Sequence, residues 1–218
     1  MSKRRCYSIV LGMLLGLICS GGAVPAQAAD GPAVTQPGSS ASQTPLGEVR
    51  STIDELVQAV SDFPGEEHLK QRRDKLRAII TPRFDFQEMA RLSLGTNWTV
   101  VSPEEQTDFV KVFSDLLAKT YLDRIENIRK ETVKVNTEKV IDQKAIVKTL
   151  VTHKGETFPI DYKLVHKGEQ WKVYDVVIEN IGLVTNYRNE FAGIIRKEQF
   201  AGLMKRLREK TGAQAKAS

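Results

Sequence analysis

The stretch Trp171-Lys172-Val173-Tyr174-Asp175-Val176-Val177-Ile178-Glu179-Asn180-Ile181-Gly182-Leu183-Val184-Thr185-Asn186-Tyr187-Arg188-Asn189-Glu190-Phe191 contains two periods. In its first half, Trp171, Val173, Val177 and Ile178 are the aromatic and β-branched types that suit a pleated, half-buried strand. In its second half, Leu183, Val184, Tyr187 and Phe191, followed by Ile194 and Ile195, recur at three and four, which is one face of a helix. Gly182 stands at the junction, where the lack of a Cβ suits a sharp change of direction. A strand is therefore expected to feed a helix that folds back over a sheet.

The same two periods divide the rest of the chain. Upstream, helical spacing predicts helices over Leu46–Phe63 and Leu69–Ile80, separated by Pro64-Gly65. A short helix follows around Phe86–Ala90, with Gly95 as its C-terminal cap. Ser102-Pro103-Glu104-Glu105 carries an N-cap serine, a proline at the first helical position and a glutamate three residues after the cap. The helix it opens is the longest, with Phe109, Val112, Phe113, Leu116, Leu117, Thr120, Tyr121 and Ile125 on one side. From Thr132 the period becomes two. Val133–Val135, Ile146–Thr152, Phe158–Leu164 and Trp171–Ile178 read as four strands joined by the short turns Asp142-Gln143, Lys154-Gly155 and Lys167-Gly168. Short links make an antiparallel meander. Helices first and sheet later give an α+β fold: N-terminal helices packed on a four-stranded antiparallel meander sheet, closed by C-terminal helices over Leu183–Ile195 and Glu198–Leu207.

The front of the chain sets the compartment. Lys3, Arg4 and Arg5 precede an apolar run from Tyr7 to Ile18, too short to favour a membrane span, and Ala26-Gln27-Ala28 is a small-residue cleavage pattern. Residues 1–28 read as a secretory signal peptide cut after Ala28, so the working protein is expected in the periplasm. A lipid anchor on Cys19 is disfavoured because bulky Ile18 precedes it. Both cysteines, Cys6 and Cys19, lie in this segment, which leaves no Cys nucleophile or Cys metal site downstream. Losing Lys3, Arg4 and Arg5 lowers the formal charge from +5 to +2. That is a weak balance for a nucleic-acid binder, and no nucleic-acid partner is expected. Residues 29–47, rich in Gly, Pro, Ser, Ala and Gln, read as a flexible leader. Residues 48–210 form a single domain and residues 211–218 a tail.

A search for chemistry finds little. His68, His153 and His166 have no ligand spacing among them, and neither a Gly-x-Ser-x-Gly elbow nor a phosphate-cradling loop is present. No metal, cofactor or catalytic residue is expected. Asp161 and Asp175 are strand acids better suited to ion pairs with Lys163, Lys172 or Arg188 than to acid–base work. The run Lys70, Arg72, Arg73, Lys75 and Arg77 reads as a partner or membrane surface or, with Glu66, Glu67 and Asp74 interleaved, as a solvated helix face. Arg188 reads either as a contact for an anionic head group or as the partner of Asp175 or Glu190.

Several of these segments carry a resemblance. Phe84-Asp85-Phe86 through Ser93-Leu94-Gly95 with Trp98, Phe109–Phe113, Thr120-Tyr121, Asp161-Tyr162, Trp171–Val176 and Leu183–Arg188 together resemble the MlaC, or toluene-tolerance auxiliary, family of periplasmic phospholipid-binding proteins. The resemblance runs from about Val49 to Leu207 and departs from the family pattern at Asn180-Ile181-Gly182. It implies a carrier that holds the acyl chains of a phospholipid cargo in an internal apolar cavity, with the head group outside. It also implies two partners: an inner-membrane ABC transporter with a substrate-binding ring protein, and an outer-membrane lipoprotein complex. The expected lipid-binding wall is Phe109, Phe113, Leu116, Leu117 and Tyr121 from the long helix and Val147, Tyr162, Leu164, Val173 and Val177 from the sheet. Tyr187, Phe191 and Ile195 cover them, and Arg188 is the candidate head-group contact. Alternatives are a different lipid cargo, such as a hopanoid, and a small-molecule enzyme of the same cone-shaped fold.

Overall fold

The computed structural model describes residues 44–126, 132–153 and 155–212, the side chains of Arg124 and His153 excepted. The proposed signal peptide, nearly all of the proposed leader and the last six residues of the tail lie outside the described residues. Four helices come first: α1 (Pro45–Asp62), α2 (Leu69–Ile80), α3 (Phe86–Leu94) and α4 (Pro103–Ile125). Five strands follow: β1 (Val133–Ile141), β2 (Lys144–His153), β3 (Glu156–Lys167), β4 (Gln170–Ile178) and β5 (Ile181–Gly182). The helical segment α5 (Leu183–Thr211) ends the described fold. The strands form one antiparallel sheet in sequential order, so the architecture is the expected α+β meander with one strand more than the sequence indicates.

Local signals set the boundaries. Thr44 caps α1, its Oγ1 accepting from Gly47 N at 3.0 Å, and Pro45 occupies the first turn. The helix therefore starts inside the stretch read as leader. Ser102 and Glu105 form the expected reciprocal capping box, with bonds of 2.8 and 3.2 Å. Gly95 ends α3 at φ 58°. The two C-terminal helices expected from the sequence form one helical segment broken at Gln199, whose φ of 63° and ψ of 178° are non-helical.

The strand-to-helix corner differs from expectation. Glu179 and Asn180 both have positive φ, 48° and 66°, so they form the two-residue turn that pairs Ile178 with Ile181 and Val177 with Gly182. Gly182 itself is extended, with φ −72°. Its missing side chain serves space instead: a Cβ there would lie 3.1 Å from Asp175 Oδ2.

Asp175 explains that crowding. It is buried, its Oδ1 accepts from Val184 N at 3.1 Å, and its Oδ2 takes Lys163 Nζ at 2.9 Å. A strand carboxylate thus satisfies one of the orphan donors at the N-terminus of α5, which has no capping side chain of its own. Asp85 repeats the device at α3. It is buried, caps Glu88 N at 3.1 Å, donates its own N–H to Val173 O at 2.8 Å and pairs with Lys167. Two helix N-termini are therefore docked on β4 through buried aspartates, each neutralised by a lysine of β3.

The basic run on α2 is in part the solvated face the sequence suggests: Lys70, Lys75 and Arg77 are exposed, and Lys70 pairs with Asp74 at 2.7 Å. Arg72 is buried and donates to the carbonyls of Phe63 and Gly65 at 2.6 and 2.8 Å, holding the α1–α2 turn. Arg73 pairs with Asp123 and Glu126, and Arg77 with Asp115, so these charges fasten α2 to α4.

Replacing Asp175 by alanine leaves Lys163 without its partner and the start of α5 uncapped. Lys163 is partly exposed, so the expected loss is about 2–3 kcal/mol, toward the lower end for removal of one member of a buried pair. Urea unfolding should show that loss for Asp175→Ala and less than about 0.5 kcal/mol for Asp161→Ala.

Candidate functional site

Apolar burial among the described residues falls into separate clusters. The first is helical: Met89, Ala90 and Leu94 of α3 meet Phe109, Val112, Phe113, Leu116 and Leu117 of α4, and Val184, Tyr187 and Phe191 of α5. Leu203, Met204 and Leu207 close it from beyond the kink. The second lies on the sheet: Ala145, Val147, Leu164, Val173 and Val176 receive Val49 and Ile53 of α1. A third joins α1, α2 and the end of α4 through Leu56, Ala59, Leu76, Ile79 and Leu122. Phe84 touches both the helical and the sheet clusters.

The structure divides the expected wall accordingly. Phe109, Phe113, Leu116, Leu117, Tyr187 and Phe191 come together in the helical cluster, with Tyr121 and Ile195 half-buried beside it. Their rings pack on one another. Phe109 stacks on Phe113 at 5.6 Å, and Phe113 meets Tyr187 and Phe191 edge to face at 5.2 and 5.6 Å. Val147, Leu164 and Val173 belong to the sheet cluster, with Tyr162 half-buried at its margin.

Val177 is the departure. The strand pairing shifts between Lys163 and Leu164, so that Leu164 faces Val173 while Lys163 faces Asp175, and Tyr174 is the extra residue of a bulge. The bulge reverses the alternation. Val176 and Ile178 join Tyr162 and Ile160 on the helix-covered face, and Val177 shares the opposite face with Asp161. Spacing by two from Val173 cannot reveal that reversal.

Several apolar residues on the covered face remain half-buried although helices lie over it. Val133, Val135, Ile160, Tyr162 and Ile178, with Leu183 and Phe84, border the sheet cluster in this way. Sequence reasoning took none of these except Tyr162 as wall, and it also omitted Val49 and Ile53 of α1. Val133 and Val135 on β1 and Ile160 on β3 carry a legible signal, alternation along their strands, whereas Ile178 lies beyond the bulge. Phe84 lies in a connection and carries none.

Most polar groups here are tied down, the buried Ser93 Oγ of α3 being without a hydrogen-bond partner among the described residues. The Tyr162 hydroxyl bonds Thr149, whose Oγ1 donates to Ile160 O at 2.8 Å. Burial pushes the Tyr162 phenol up to about 12. Tyr187 is also raised, by burial first and then by Tyr121 nearby, and it bonds both Thr120 and Tyr121. Arg188 pairs with neither expected acid: its Nε donates to Leu92 O at 2.7 Å, and its aliphatic stem lies against Gly95. A cation at the C-terminal end of α3 also complements the helix dipole. No group of three or more His, Cys, Asp or Glu side chains able to hold a metal occurs among the described residues.

Residues 50–209 match the family described as MlaC protein. The chain belongs to the MlaC family. It is similar to the toluene tolerance protein ttg2D of Pseudomonas putida, with 26% identity over 72% of this chain and 75% of that protein. It is also similar to the intermembrane phospholipid transport system binding protein MlaC of Haemophilus influenzae, with 21% identity over 65% of this chain and 71% of that one. Among solved structures it resembles a phospholipid-binding protein from Ralstonia solanacearum determined in complex with a phospholipid. That comparison has a TM-score of 0.66 and 28% identity, and covers 75% of this chain and 94% of that one. Among the described residues of this family member, no helix is long and apolar enough to cross a membrane.

The raised Tyr162 phenol gives a prediction in the alkaline range. A pKa above the usual 10 means that the folded state prefers the neutral phenol, a preference intact below pH 10 and lost as pH rises to about 12. Between those limits wild type should lose about 1.4 kcal/mol of stability per pH unit from this group. Urea unfolding at pH 9.5 and 11.5 checks it: Tyr162→Phe should show the shallower decline, and parallel declines would contradict the assignment.

Proposed function

We propose that this protein is a periplasmic phospholipid carrier that holds the acyl chains between the covered face of the sheet and the α3–α4–α5 cluster. The observation that carries the reading is the row of half-buried apolar side chains on that face, Val133, Val135, Ile160, Tyr162 and Ile178. A closed core tends to merge into one contiguous cluster, whereas here a sheet cluster and a helical cluster lie side by side with Phe84 between them. An apolar recess between two such walls suits hydrocarbon and needs no catalytic group. The Ralstonia structure, bound to a phospholipid at this fold, supports the cargo class.

The energetics favour retention. Burial contributes about 0.8 kcal/mol per methylene, so two chains of roughly fifteen carbons supply on the order of 20 kcal/mol gross. Escape into water is correspondingly slow. We therefore assign release to a docked state in which a partner offers the chains an apolar path, with an inner-membrane ABC transporter and an outer-membrane complex as the two ends of the shuttle. Arg188, with Nε committed to Leu92, keeps its two terminal nitrogens for a head group at the exposed edge of α5. The enzyme alternative draws little support from the site, where the Tyr162 hydroxyl is bonded to Thr149 and that of Tyr187 to Thr120 and Tyr121.

Loading the delipidated protein with a fluorescent phospholipid tests the wall. Ile160→Arg and Tyr162→Arg place a cation among the acyl chains and should lower loading at least tenfold, with the circular dichroism of wild type retained. Lys134→Glu, on the other face, should load normally. Equal loading by all variants would place the lipid elsewhere.

A further inference from the structure

The two faces of the sheet differ sharply in charge. Register puts Lys134, Lys139, Lys144, Lys148 and Lys172 on the face away from α1, beside the two lysines already engaged by Asp175 and Asp85. None of these five has an ion-pair partner among the described residues, and Asp161 is the one unpaired carboxylate on the strand positions of that face. They are far apart in sequence, so no basic run announces them. Yet they concentrate a local excess of +4 on a chain whose expected mature charge is only +2. Segregation of that kind creates a potential that steers association with an anionic surface.

The β1–β2 hairpin adds an apolar component. On this face Ile141 stands opposite Lys144, and Ile146 opposite Lys139, a checkerboard of isoleucine and lysine. Ile141 is 58% exposed and Ile146 36%. Exposed β-branched side chains flanked by flexible lysine stems match a bilayer interface: the apolar tips enter the head-group boundary while the ammonium groups stay with the phosphates. All five of these cations are lysines, and Lys144 also lies over the Tyr174 ring at 6.0 Å. A diffuse layer of lipid phosphates needs point charges, whereas bidentate recognition of one fixed acidic site favours arginine.

We propose that the outer face of the sheet, led by the β1–β2 hairpin, is a reversible docking surface for an anionic phospholipid bilayer. This goes beyond the carrier reading and does not rest on it, since docking is separate from what the covered face holds. Each lysine near an anionic surface contributes about 1 kcal/mol, or roughly a fivefold gain in partition. The interaction is screened by salt within about 10 Å at 0.1 M ionic strength.

The test is co-sedimentation of the mature protein with vesicles of phosphatidylcholine alone or with a third phosphatidylglycerol, at low and at 0.5 M salt. Binding is expected only to the anionic vesicles and only at low salt. K139T combined with K148T should weaken it about 25-fold. I141S combined with I146S should weaken it without changing the salt dependence. Cargo loading of all variants should equal wild type, which separates a failure of docking from a failure of the carrier reading. No binding to anionic vesicles at low salt, binding to both vesicle types alike, or full binding by the lysine variant would overturn the proposal. Capture by an acidic protein surface without vesicle binding would also overturn it.

Discussion

Two buried aspartates on or beside β4 are the constraint on which the helical half depends. Asp175 and Asp85 each sit at the start of a helix, and each is neutralised by a lysine from β3. Unpaired, either carboxylate would carry a desolvation cost of several kcal/mol. Paired, they fix where α3 and α5 leave the sheet, and therefore where Met89, Tyr187 and Phe191 meet the aromatic stripe of α4. Gly182 is glycine because the Asp175 carboxylate occupies the space its Cβ would need. The hairpin turn at Glu179-Asn180 then delivers the chain to the start of α5.

This arrangement connects the fold to the proposed function. Because α3 and α5 are tethered at β4, the helical cluster builds its own interior from stacked rings and aliphatic side chains. The sheet, meanwhile, is covered on one face by α1. On that face the sheet keeps half-buried apolar residues at the margin of its cluster. In the proposed carrier the separate clusters serve as stable walls and the half-buried residues as the surface left for the cargo.

Much of this was legible in the sequence, for reasons that also mark its limits. Helical periodicity and local caps are one-dimensional signals, so α1, α2, α4 and the Ser102–Glu105 box could be read directly. Alternation gave the meander and the inward set Val147, Tyr162, Leu164 and Val173. It failed at Val177, because a bulge at Tyr174 changes parity without any mark in composition. It missed β5, a strand of two residues defined by a turn at positive φ. Charge misled in the opposite direction. In the conspicuous run on α2 the three arginines are engaged by Asp115, Asp123, Glu126 and backbone carbonyls and Lys70 by Asp74, while a second basic surface is assembled from lysines spread over three strands. Arg188 read either as a head-group contact or as the partner of an acid, and its Nε instead caps α3. Each of these outcomes depends on tertiary geometry that spacing does not encode.

The measurement that bears most directly on the central claim is native mass spectrometry of the mature protein as purified, followed by organic extraction of whatever it carries. The account predicts a mass increment of one phospholipid per chain and recovery of a two-chain lipid in the extract. A folded protein that is lipid-free and stays so after incubation with phospholipid would contradict it.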